Sequence, residues 1–370
     1  MSSSADIVIA GGGMVGTAAA ATIAKLAGLQ NHKIVLLESS PRKEISLSPE
    51  YSNRVAALSP STVELLDRLG AWQLIQQVRT QPVRRMKVWE SCSDSAITFG
   101  DEVGEPLATL VENDLTVKAL TEVNEACPNV EIRYGAKVES YRIPSLQDCE
   151  QVPGEAVVIE MEGGERLEAG LLVGADGFSS LVRRSLQKEE QHVSWQYSQM
   201  GLVATLALAP SSSPNVTAWQ RFLPSGPLAV LPLSATTSSL VWTVAKGDVA
   251  ALLSLSEEAF LEAVNTALYS RKGEQGMALA INQGLSSLLG GREDRPAPPT
   301  VTGVSQRAAF PLGFGHSPRY IGARAALVGD SAHRVHPLAG QGANLGFGDV
   351  RELAEQVQAM VRDGAGLGHR

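Results

Sequence analysis

The pattern of apolar and polar residues predicts a strand, a glycine-rich turn and a helix near each end of the chain. Near the start, residues 6–10 are small or β-branched and apolar, glycines recur over 11–16, and alanine-rich residues 17–27 predict a helix. Near the end, residues 324–328 predict a short buried strand, and a glycine-spaced loop follows. Apolar residues then recur at helical spacing from Val350 to Met360, with charged residues on the other side of the predicted helix.

The middle of the chain has a different pattern. Short segments alternate apolar and polar positions, at residues 202–208, 218–223, 228–231 and 240–244. Such alternation, broken by Ser, Pro and Asn, is typical of an antiparallel sheet with one buried face. We therefore predict an α/β fold into which an antiparallel sheet is inserted. A helix is predicted over residues 257–268, and residues 271–299 are predicted to be loop with some helix.

The first glycine-rich turn has the spacing of a dinucleotide-binding motif. Gly11, Gly13 and Gly16 lie between the predicted strand and helix, and a second predicted strand over residues 33–37 delivers Glu38. Glu38 follows the last glycine at about the spacing of 20 residues expected for a carboxylate that binds a ribose. Such glycines let the backbone approach a pyrophosphate at a helix N-terminus. The alternative is a glycine-rich turn that only packs a helix on a strand.

The second glycine-rich turn also places a carboxylate at the end of a predicted strand. Gly329 and Asp330 end that strand, and Pro337, Gly340 and Gly342 follow in the loop before the last helix. The carboxylate of Asp330 can accept hydrogen bonds from hydroxyl groups, and the glycines allow close approach of a ligand. The pattern predicts contact with a phosphorylated sugar chain, the alternative being an ordinary strand–loop–helix connection.

Composition and charge exclude several classes of protein. The 370 residues are 44% hydrophobic and 19% charged, which favours one large globular domain or two interleaved ones. The formal net charge is −8 and the sequence has no long basic run, so nucleic-acid binding is not expected. The three cysteines have neither metal-binding nor disulfide spacing, which favours a reducing compartment and no metal. Glycines interrupt the uncharged residues 7–24, so no membrane-spanning helix is predicted there.

Two further motifs lie between the glycine-rich turns: Arg54 within Tyr-Ser-Asn-Arg-Val, and Asp176 within Gly-Ala-Asp-Gly. The four motifs together resemble the single-component flavin hydroxylase family related to para-hydroxybenzoate hydroxylase. Residues 111–113, 219–227 and 333–342 resemble more narrowly the ubiquinone-biosynthesis branch of that family, and within it the eukaryotic mitochondrial coenzyme Q hydroxylases. The resemblance covers nearly the whole chain.

The resemblance implies a Rossmann-like FAD-binding domain with an inserted antiparallel-sheet substrate domain. The FAD-binding domain would comprise residues 1–83, 111–190 and 305–370, and the substrate domain residues 84–110 and 191–304. Family members carry a mitochondrial presequence before the matching segment and further helices after it. We therefore expect a mature-form start and a missing C-terminal part.

The resemblance also implies which residues contact FAD. The expected contacts are Gly11, Gly13 and Gly16 with the pyrophosphate, Glu38 with the adenosine ribose, Arg54 with the flavin phosphates, the backbone of Val138 with the adenine, Asp330 with the ribityl chain or pyrophosphate, and Pro337, Gly340 and Gly342 with the isoalloxazine edge. Asp176 is expected to serve FAD and a nicotinamide donor. No catalytic side chain is expected, because the flavin performs the chemistry. His333 and His336 are interpreted as packing the loop.

The implied reaction is hydroxylation of a polyprenylated phenol, an intermediate of ubiquinone (coenzyme Q) biosynthesis. Reduced FAD would take up O2, and the flavin hydroperoxide would transfer one oxygen atom to the ring. Trp219, Arg221, Phe222 and Pro227 of the inserted sheet would form the floor of an apolar pocket. Core packing is the alternative for Trp219 and Phe222.

The sequence has no second dinucleotide motif, so a separate nicotinamide domain is not expected. The resemblance implies electrons from a ferredoxin and its reductase, with Arg84-Arg85 and Arg183-Arg184 as candidate contacts. Other ubiquinone-biosynthesis proteins are further expected partners. The lipid substrate implies peripheral association with the membrane, at the matrix face of the mitochondrial inner membrane.

Two other functions stay open from the residues alone. An NAD-dependent dehydrogenase would explain Glu38 but would leave the Gly329-Asp330 motif unexplained. A non-catalytic prenyl-binding protein, like the Rab escort and dissociation-inhibitor group, would share the fold and the first motif. Such a protein would not need the second motif, which is intact here. The bound cofactor distinguishes the three functions: FAD, NAD or none.

Overall fold

The structure is a computed structural model that describes residues 2–42, 44–93, 95–145, 155–187, 192–269, 297–337 and 340–364. The strands of these residues are β1 (Ser2–Ala10), β2 (Ile34–Glu38), β3 (Val55–Leu58), β4 (Gln81–Val83), β5 (Arg85–Glu90), β6 (Ala96–Gly100), β7 (Ala108–Glu112), β8 (Val130–Tyr134), β9 (Val138–Arg142), β10 (Val157–Met161), β11 (Arg166–Gly174), β12 (Val193–Leu208), β13 (Thr217–Leu223), β14 (Gly226–Pro232), β15 (Thr237–Ala245), β16 (Val301–His316), β17 (Ile321–Gly322), β18 (Ala325–Leu327) and β19 (His333–Arg334).

The helices are α1 (Met14–Ala24), α2 (Pro60–Leu69), α3 (Ala71–Gln76), α4 (Asn113–Glu125), α5 (Leu181–Leu186), α6 (Val249–Ser254), α7 (Glu257–Tyr269) and α8 (Gln341–Arg362). A short 3-10 turn, Gly329–Ser331, follows β18.

Helix α2 shows how local sequence sets the ends of an element. The hydroxyl of Ser59 accepts the N–H of Thr62, a proline follows at the first helical position, and Gly70 ends the helix at a φ of 79°.

The first sheet has the strand order β17-β18-β11-β1-β2-β8, and β1, β2, β8, β11 and β18 run parallel. Strands β10 and β9 extend it from β11 in antiparallel pairs. The carboxyl ends of parallel strands lie at one edge of a sheet, and ligands bind there in open α/β sheets. That edge therefore collects Gly11, Glu38, Gly174 and Gly329, which end or follow β1, β2, β11 and β18.

Two apolar layers cover the first sheet. Ile7 and Ile9 of β1 pack in one layer with α1, α2, α3, α4 and α8, and Val8 and Ala10 pack in the other layer with α5. All of these β1 side chains are buried. For this reason residues 7–10 are continuously apolar and do not alternate between apolar and polar residues.

The second sheet has the order β19-β16-β12-β15-β14-β13-β5-β6. All its pairs are antiparallel except β13 with β5. One face packs against α6 and α7 in a core that includes Leu240, Phe260 and Val264. A small third sheet, β3-β7-β4, lies against the other face through Leu110 and Ala218.

The predicted α/β frame with an inserted antiparallel sheet is confirmed, and the differences are local. β1 begins at Ser2 because its first residues pair with β11. Residues 130–138, predicted as one strand, divide between β8, which pairs with β2, and the start of β9, which pairs with β10. The division occurs because Gly135 turns the chain at a φ of 68°. The predicted strand 324–328 shortens to β18 because Arg324 has a φ of 56°. Most of the loop predicted over residues 271–299 lies outside the described residues, and the division into domains stays a prediction.

Candidate cofactor site

The first glycine-rich turn packs directly against the third motif. A Cβ at Gly11 would overlap the carbonyl of Ala175, and a Cβ at Gly16 would overlap the carbonyl of Gly11. The N–H of Ala175 donates to the carbonyl of Ala10 at 2.8 Å. These close backbone contacts require glycine, and they bring the motifs of residues 11–16 and 174–177 into one structure.

Gly13 faces open space. It is the N-cap residue of α1 and provides no side-chain cap, and a Cβ at this position would meet no described atom within 4 Å. The first N–H groups of a helix carry a partial positive charge and need acceptors. The open N-terminus of α1 therefore fits a pyrophosphate.

Glu38 is oriented by two backbone N–H groups. Its carboxylate accepts the N–H of Gly12 at 2.9 Å and the N–H of Ser40 at 2.7 Å. Each oxygen retains a further lone pair for a ligand hydroxyl. The structure therefore holds Glu38 beside the first glycine-rich turn, as ribose recognition requires.

Val138 lies next to Glu38 through the turn that joins β8 to β9. The N–H of Ala136 donates to the carbonyl of Glu38 at 2.9 Å, and the N–H of Gly135 donates to the carbonyl of Ser40 at 2.8 Å. Val138 begins β9 two residues later and is half-buried. Its position at this end of the site is compatible with the predicted adenine contact.

The carboxylate of Asp176 is occupied by the protein itself. It accepts the N–H of Leu181 at 2.7 Å, the N–H of Val182 at 3.2 Å and the hydroxyl of Ser331 at 3.0 Å. The Ser331 hydroxyl also accepts the N–H of Gly177 at 2.9 Å. Asp176 therefore joins the third motif to the second, and its predicted contact with FAD or a nicotinamide stays a prediction.

Arg183 reinforces the same junction. Its guanidinium donates to the carbonyls of Ser331, at 2.9 Å, and Phe178, and only 6% of the residue is exposed. Desolvation by burial lowers the pKa of Arg183. Because its donors point inward to the backbone, Arg183 does not present a basic surface for a ferredoxin. Arg184 is exposed.

Asp330 lies in the short turn that follows β18. Its side chain is solvent-accessible, yet the dense surrounding protein raises the pKa of its carboxyl through desolvation, against the lowering effect of Arg334 and His333. A carboxylate placed there can accept hydroxyl groups of a sugar chain, as predicted.

The two glycine-rich motifs are in contact. Gly329, next to Asp330, lies against Val15 of α1, and a Cβ at Gly346 of α8 would overlap the Val15 side chain. Small residues at these positions allow α1 and α8 to approach each other. The first glycine-rich turn and the turn of Asp330 are therefore adjacent, which is the arrangement that one dinucleotide needs.

Pro337 and the glycines at the start of α8 lie on the side of the site next to β3. Gly340 is the N-cap residue of α8 with a φ of 62°, and its N–H donates to the carbonyl of Pro337 at 3.3 Å. A Cβ at Gly342 would meet no described atom within 4 Å, whereas one at Gly340 would lie 3.5 Å from Cβ of Ala57. Pro337, Gly340 and Gly342 therefore lie together near β3.

Arg54 immediately precedes β3. Its carbonyl accepts the N–H of Asn113 at 3.0 Å, and its exposed guanidinium has no hydrogen-bond or ion-pair partner among the described residues. Such a side chain can bind an anion. Its contact with flavin phosphates stays a prediction.

The four predicted pocket residues lie on two faces of the second sheet. Trp219 and Arg221 are buried on the face covered by helices: the Trp219 ring lies 6.3 Å from that of Trp89, and Arg221 donates to the carbonyl of Ala267 at 2.8 Å. This placement favours the core-packing interpretation of Trp219, and it removes Arg221 from the pocket floor.

Phe222 and Pro227 lie opposite each other on the other face, in β13 and β14. Thr205, on the same face, donates its hydroxyl to the carbonyl of Tyr51 at 3.4 Å. This is the face toward the loop that carries Arg54. Phe222 is 41% exposed and apolar, so it remains a candidate for substrate contact.

Sequence reasoning missed the connecting roles of Asn344, Asp349, Arg183 and Ser331 in the site. Asn344, Arg183 and Ser331 have partners at least 148 residues away in sequence, whereas Asp349 accepts the N–H of Gly329, which lies 20 residues away. The available signal in the sequence was a polar residue at a position predicted to be buried in a helix or turn. It identifies such residues without naming their partners.

Comparisons with known proteins agree with this geometry. The chain matches the family described as FAD binding domain over residues 4–284 and 299–368. The mitochondrial ubiquinone biosynthesis monooxygenase COQ6 of Xenopus tropicalis is 43% identical over 373 residues, which cover 98% of this chain and 79% of that protein. The human protein of the same name is 42% identical over 373 residues, with the same coverage of 98% and 79%.

Solved structures of flavin monooxygenases share the fold. The chain superposes on pqsL of Pseudomonas aeruginosa, a probable FAD-dependent monooxygenase, with a TM-score of 0.72 at 21% identity, covering 98% of this chain and 88% of that one. For p-nitrophenol 4-monooxygenase PnpA of Pseudomonas putida the TM-score is 0.66 at 20% identity, covering 98% and 82%. At these identities the likeness concerns the fold.

The Rossmann-like frame, the adjoining glycine-rich motifs and the inserted antiparallel sheet define an FAD-dependent monooxygenase of the para-hydroxybenzoate hydroxylase type. Within that class, the chain belongs to the family of the ubiquinone biosynthesis monooxygenases. The predicted cofactor, enzyme class and family are confirmed. Nothing in the comparisons favours the dehydrogenase or the prenyl-binding protein.

Among the residues that the structure describes, no helix combines the length and apolarity needed to cross a bilayer.

Proposed function

We propose that this chain hydroxylates the ring of a polyprenylated phenol in ubiquinone biosynthesis, with FAD bound along the edge where β1, β2, β11 and β18 end. The observation that carries the proposal is the contact of Val15 with Gly329 and Gly346. It brings together the open helix N-terminus at Gly13, the oriented carboxylate of Glu38 and the carboxylate of Asp330 in one elongated site. The names of the relatives supply the pathway.

In this proposal, each motif residue has one role. The turn of Gly11, Gly13 and Gly16 accommodates the pyrophosphate, and Glu38 accepts the adenosine ribose hydroxyls, with the backbone of Val138 beside the adenine. Asp330 accepts hydroxyls of the ribityl chain. Arg54 neutralises the phosphates, and the turn of Pro337, Gly340 and Gly342 lies at the isoalloxazine edge.

When bound, FAD supplies the activation of O2 that allows one oxygen atom to enter an electron-rich ring. The protein must then orient the ring and exclude water. Phe222 and Pro227 present apolar surface on the sheet face toward the loop of Arg54. We propose that they contact the substrate. No side chain is proposed to react.

For the electron donor we propose a ferredoxin with its reductase, and for the location the matrix face of the mitochondrial inner membrane. The relatives are named mitochondrial, which supports the organelle. Association with other ubiquinone-biosynthesis proteins is part of the same proposal. Of the candidate basic residues, Arg85 is paired with Glu102 at 2.5 Å and Arg84 donates to the carbonyl of Gly104, and both are half-buried. Arg184 donates to the carbonyl of Ser179 at 2.6 Å but is exposed, which makes it the better candidate for docking.

The first test compares Gly13→Val with the control Gly247→Val. Both glycines face open space, but Gly247 lies in the turn between β15 and α6. We expect the Gly13 variant to bind FAD at least about tenfold more weakly, because its side chain enters the pyrophosphate space. The control should retain the flavin absorption spectrum, with FAD identified in the released cofactor by chromatography.

The reaction itself is tested with 18O2, a polyprenylated phenol, and ferredoxin with its reductase. We expect one labelled oxygen atom in the product by mass spectrometry. FAD binding that is equally tight in both glycine variants would contradict the cofactor site. An FAD-loaded protein whose product carries no label would contradict the proposed reaction while leaving the cofactor site intact.

A further inference from the structure

A carboxylate on α8 holds both ends of the turn that presents Asp330. Oδ2 of Asp349 accepts the N–H of Gly329 at 2.8 Å, and the same oxygen lies 2.7 Å from Nε2 of His333. Gly329 immediately precedes Asp330, and His333 begins β19 just after the turn. One side chain therefore bridges the entry and the exit of the turn.

The bridge is largely shielded from water. The side chains of Asp349 and His333 are 23% and 14% exposed. Hydrogen bonds between ionised groups are stronger than neutral ones, and a low local dielectric strengthens them further. The hydrogen bond with Asp349, together with the charges of Asp349 and Asp330, raises the pKa of His333 against the opposing effect of its burial.

Other titratable and charged groups face His333 from the neighbouring elements. Asp330 lies on the turn itself, and Arg334 follows His333 in β19. The ring of Tyr320, between β16 and β17, lies 5.8 Å from the His333 ring. His316 of β16 pairs with His333 across the sheet, and its Nδ1 lies 3.1 Å from the Tyr320 hydroxyl. Asp349 is the one in direct contact with the His333 ring nitrogen.

We propose that Asp349 and His333 are positioning residues that fix the Asp330 carboxylate for the sugar chain of FAD, and that the protonated form of His333 gives the tighter site. This inference rests on the proposed contact of Asp330 with FAD. Protonated His333 forms an ion pair with Asp349, which holds the turn closed. When His333 loses its proton, only a hydrogen bond from its neutral imidazole to the Asp349 carboxylate remains, and the turn loosens.

The sign of the pH effect follows from the raised pKa of His333. The contribution of the ion pair is present below the ordinary histidine pKa, and it is lost as the pH rises through the raised value. FAD affinity should fall over the same interval, by about tenfold for one charge-assisted hydrogen bond. The measurement is the Kd of FAD for the apoprotein, from flavin fluorescence, between about pH 6 and pH 9.

Three variants separate this role from a merely structural one. His333→Gln keeps a hydrogen-bond donor but cannot carry the charge. We expect its Kd for FAD to be independent of pH and equal to the weaker Kd that the wild type has at high pH. Asp349→Asn should also lose the pH dependence. His316→Gln, at the exposed neighbour in β16, should keep the wild-type pH profile. Melting temperatures show whether each variant is folded, and His333→Gln alone suffices if Asp349→Asn does not fold.

The positioning role is overturned if FAD affinity depends on pH in His333→Gln as it does in the wild type. It is also overturned if His316→Gln loses this pH dependence. Asp330→Asn separates this inference from the site on which it rests. If Asp330→Asn binds FAD as tightly as the wild type, the proposed contact of Asp330 is wrong and the positioning role fails with it. If Asp330→Asn binds FAD weakly while His333→Gln is unchanged, only the positioning role is wrong.

Discussion

At the scale of residues, the carboxylate of Asp176 is a structural link rather than an open ligand. It accepts two N–H groups at the start of α5 and the hydroxyl of Ser331, which is fully buried. The Gly-Ala-Asp-Gly motif made Asp176 visible in the sequence. Its partner Ser331 was not predictable, because it lies more than 150 residues away and meets Asp176 only in the folded chain.

We expect Asp176→Asn to lower the free energy of unfolding by about 2 kcal/mol, because an amide nitrogen would replace one of the two acceptors. The same change should weaken FAD binding, since Ser331 follows Asp330 directly. Denaturant unfolding and FAD titration are the measurements.

Asp114→Asn is the matched control for this substitution. Asp114 is exposed and lies in the first turn of α4, so the change should cost less than about 0.5 kcal/mol. Equal effects of the two substitutions would contradict the linking role of Asp176.

At the scale of elements, apolar periodicity predicted which segments are strands and helices but not how they pair. The strand–turn–helix units at both glycine-rich motifs formed as predicted, because their signals are local. The turn at Gly135 and the two faces of the second sheet were missed. Which face of β13 turns toward α7 depends on the packing of β5, β14 and the helices, and this information is not in the sequence of β13 itself.

The segment before β3 is held largely by hydrogen bonds from side chains. Arg79 forms a two-point ion pair with Glu112, at 2.5 and 2.9 Å, and donates to the carbonyls of Ser48 and Pro49 at 2.9 Å. Its guanidinium also lies 4.4 Å from the centre of the Tyr51 ring. Arg79 therefore anchors the segment that leads to Arg54.

We expect Arg79→Met to destabilise the protein by about 3–5 kcal/mol, because it leaves Glu112 buried without its partner. Arg42→Met is the control, since Arg42 forms an ion pair with Glu125 at the surface. An exposed pair of this kind contributes about 0–1 kcal/mol. Denaturant unfolding gives both values, and similar losses in the two variants would contradict the anchoring role of Arg79.

At the scale of the whole molecule, α8 closes the site onto the first third of the chain. The side-chain amide of Asn344 donates to the carbonyl of Ala57 at 2.8 Å and accepts the N–H of Ser59 and the hydroxyl of Thr62, both at 2.9 Å. The motifs of the site were predictable because each is local and rich in glycine. Their assembly was not, because it depends on such long-range contacts.

We expect Asn344→Ala to lower the free energy of unfolding by about 2–3 kcal/mol, because it leaves polar groups of β3 and α2 without partners. FAD binding should weaken as well, since α8 carries Gly346 against Val15. Gln356→Ala, on the exposed side of α8, should have an effect below about 0.5 kcal/mol. Unchanged FAD affinity in Asn344→Ala would contradict the role of α8 in closing the site.

The contact between Val15 and Gly346 also determines when the protein can acquire its cofactor during biosynthesis. A ribosome adds about 5–20 residues per second, so the first motif emerges many seconds before its counterpart in α8. Before residues 166–174 emerge, β1 also lacks its neighbour β11, and Ile7, Val8 and Ile9, all fully buried in the folded protein, have no complete core to enter. The complete set of residues in the proposed FAD site therefore exists only once α8 has emerged. For this protein, we expect FAD to bind stably only after α8 has been synthesised and packed against α1.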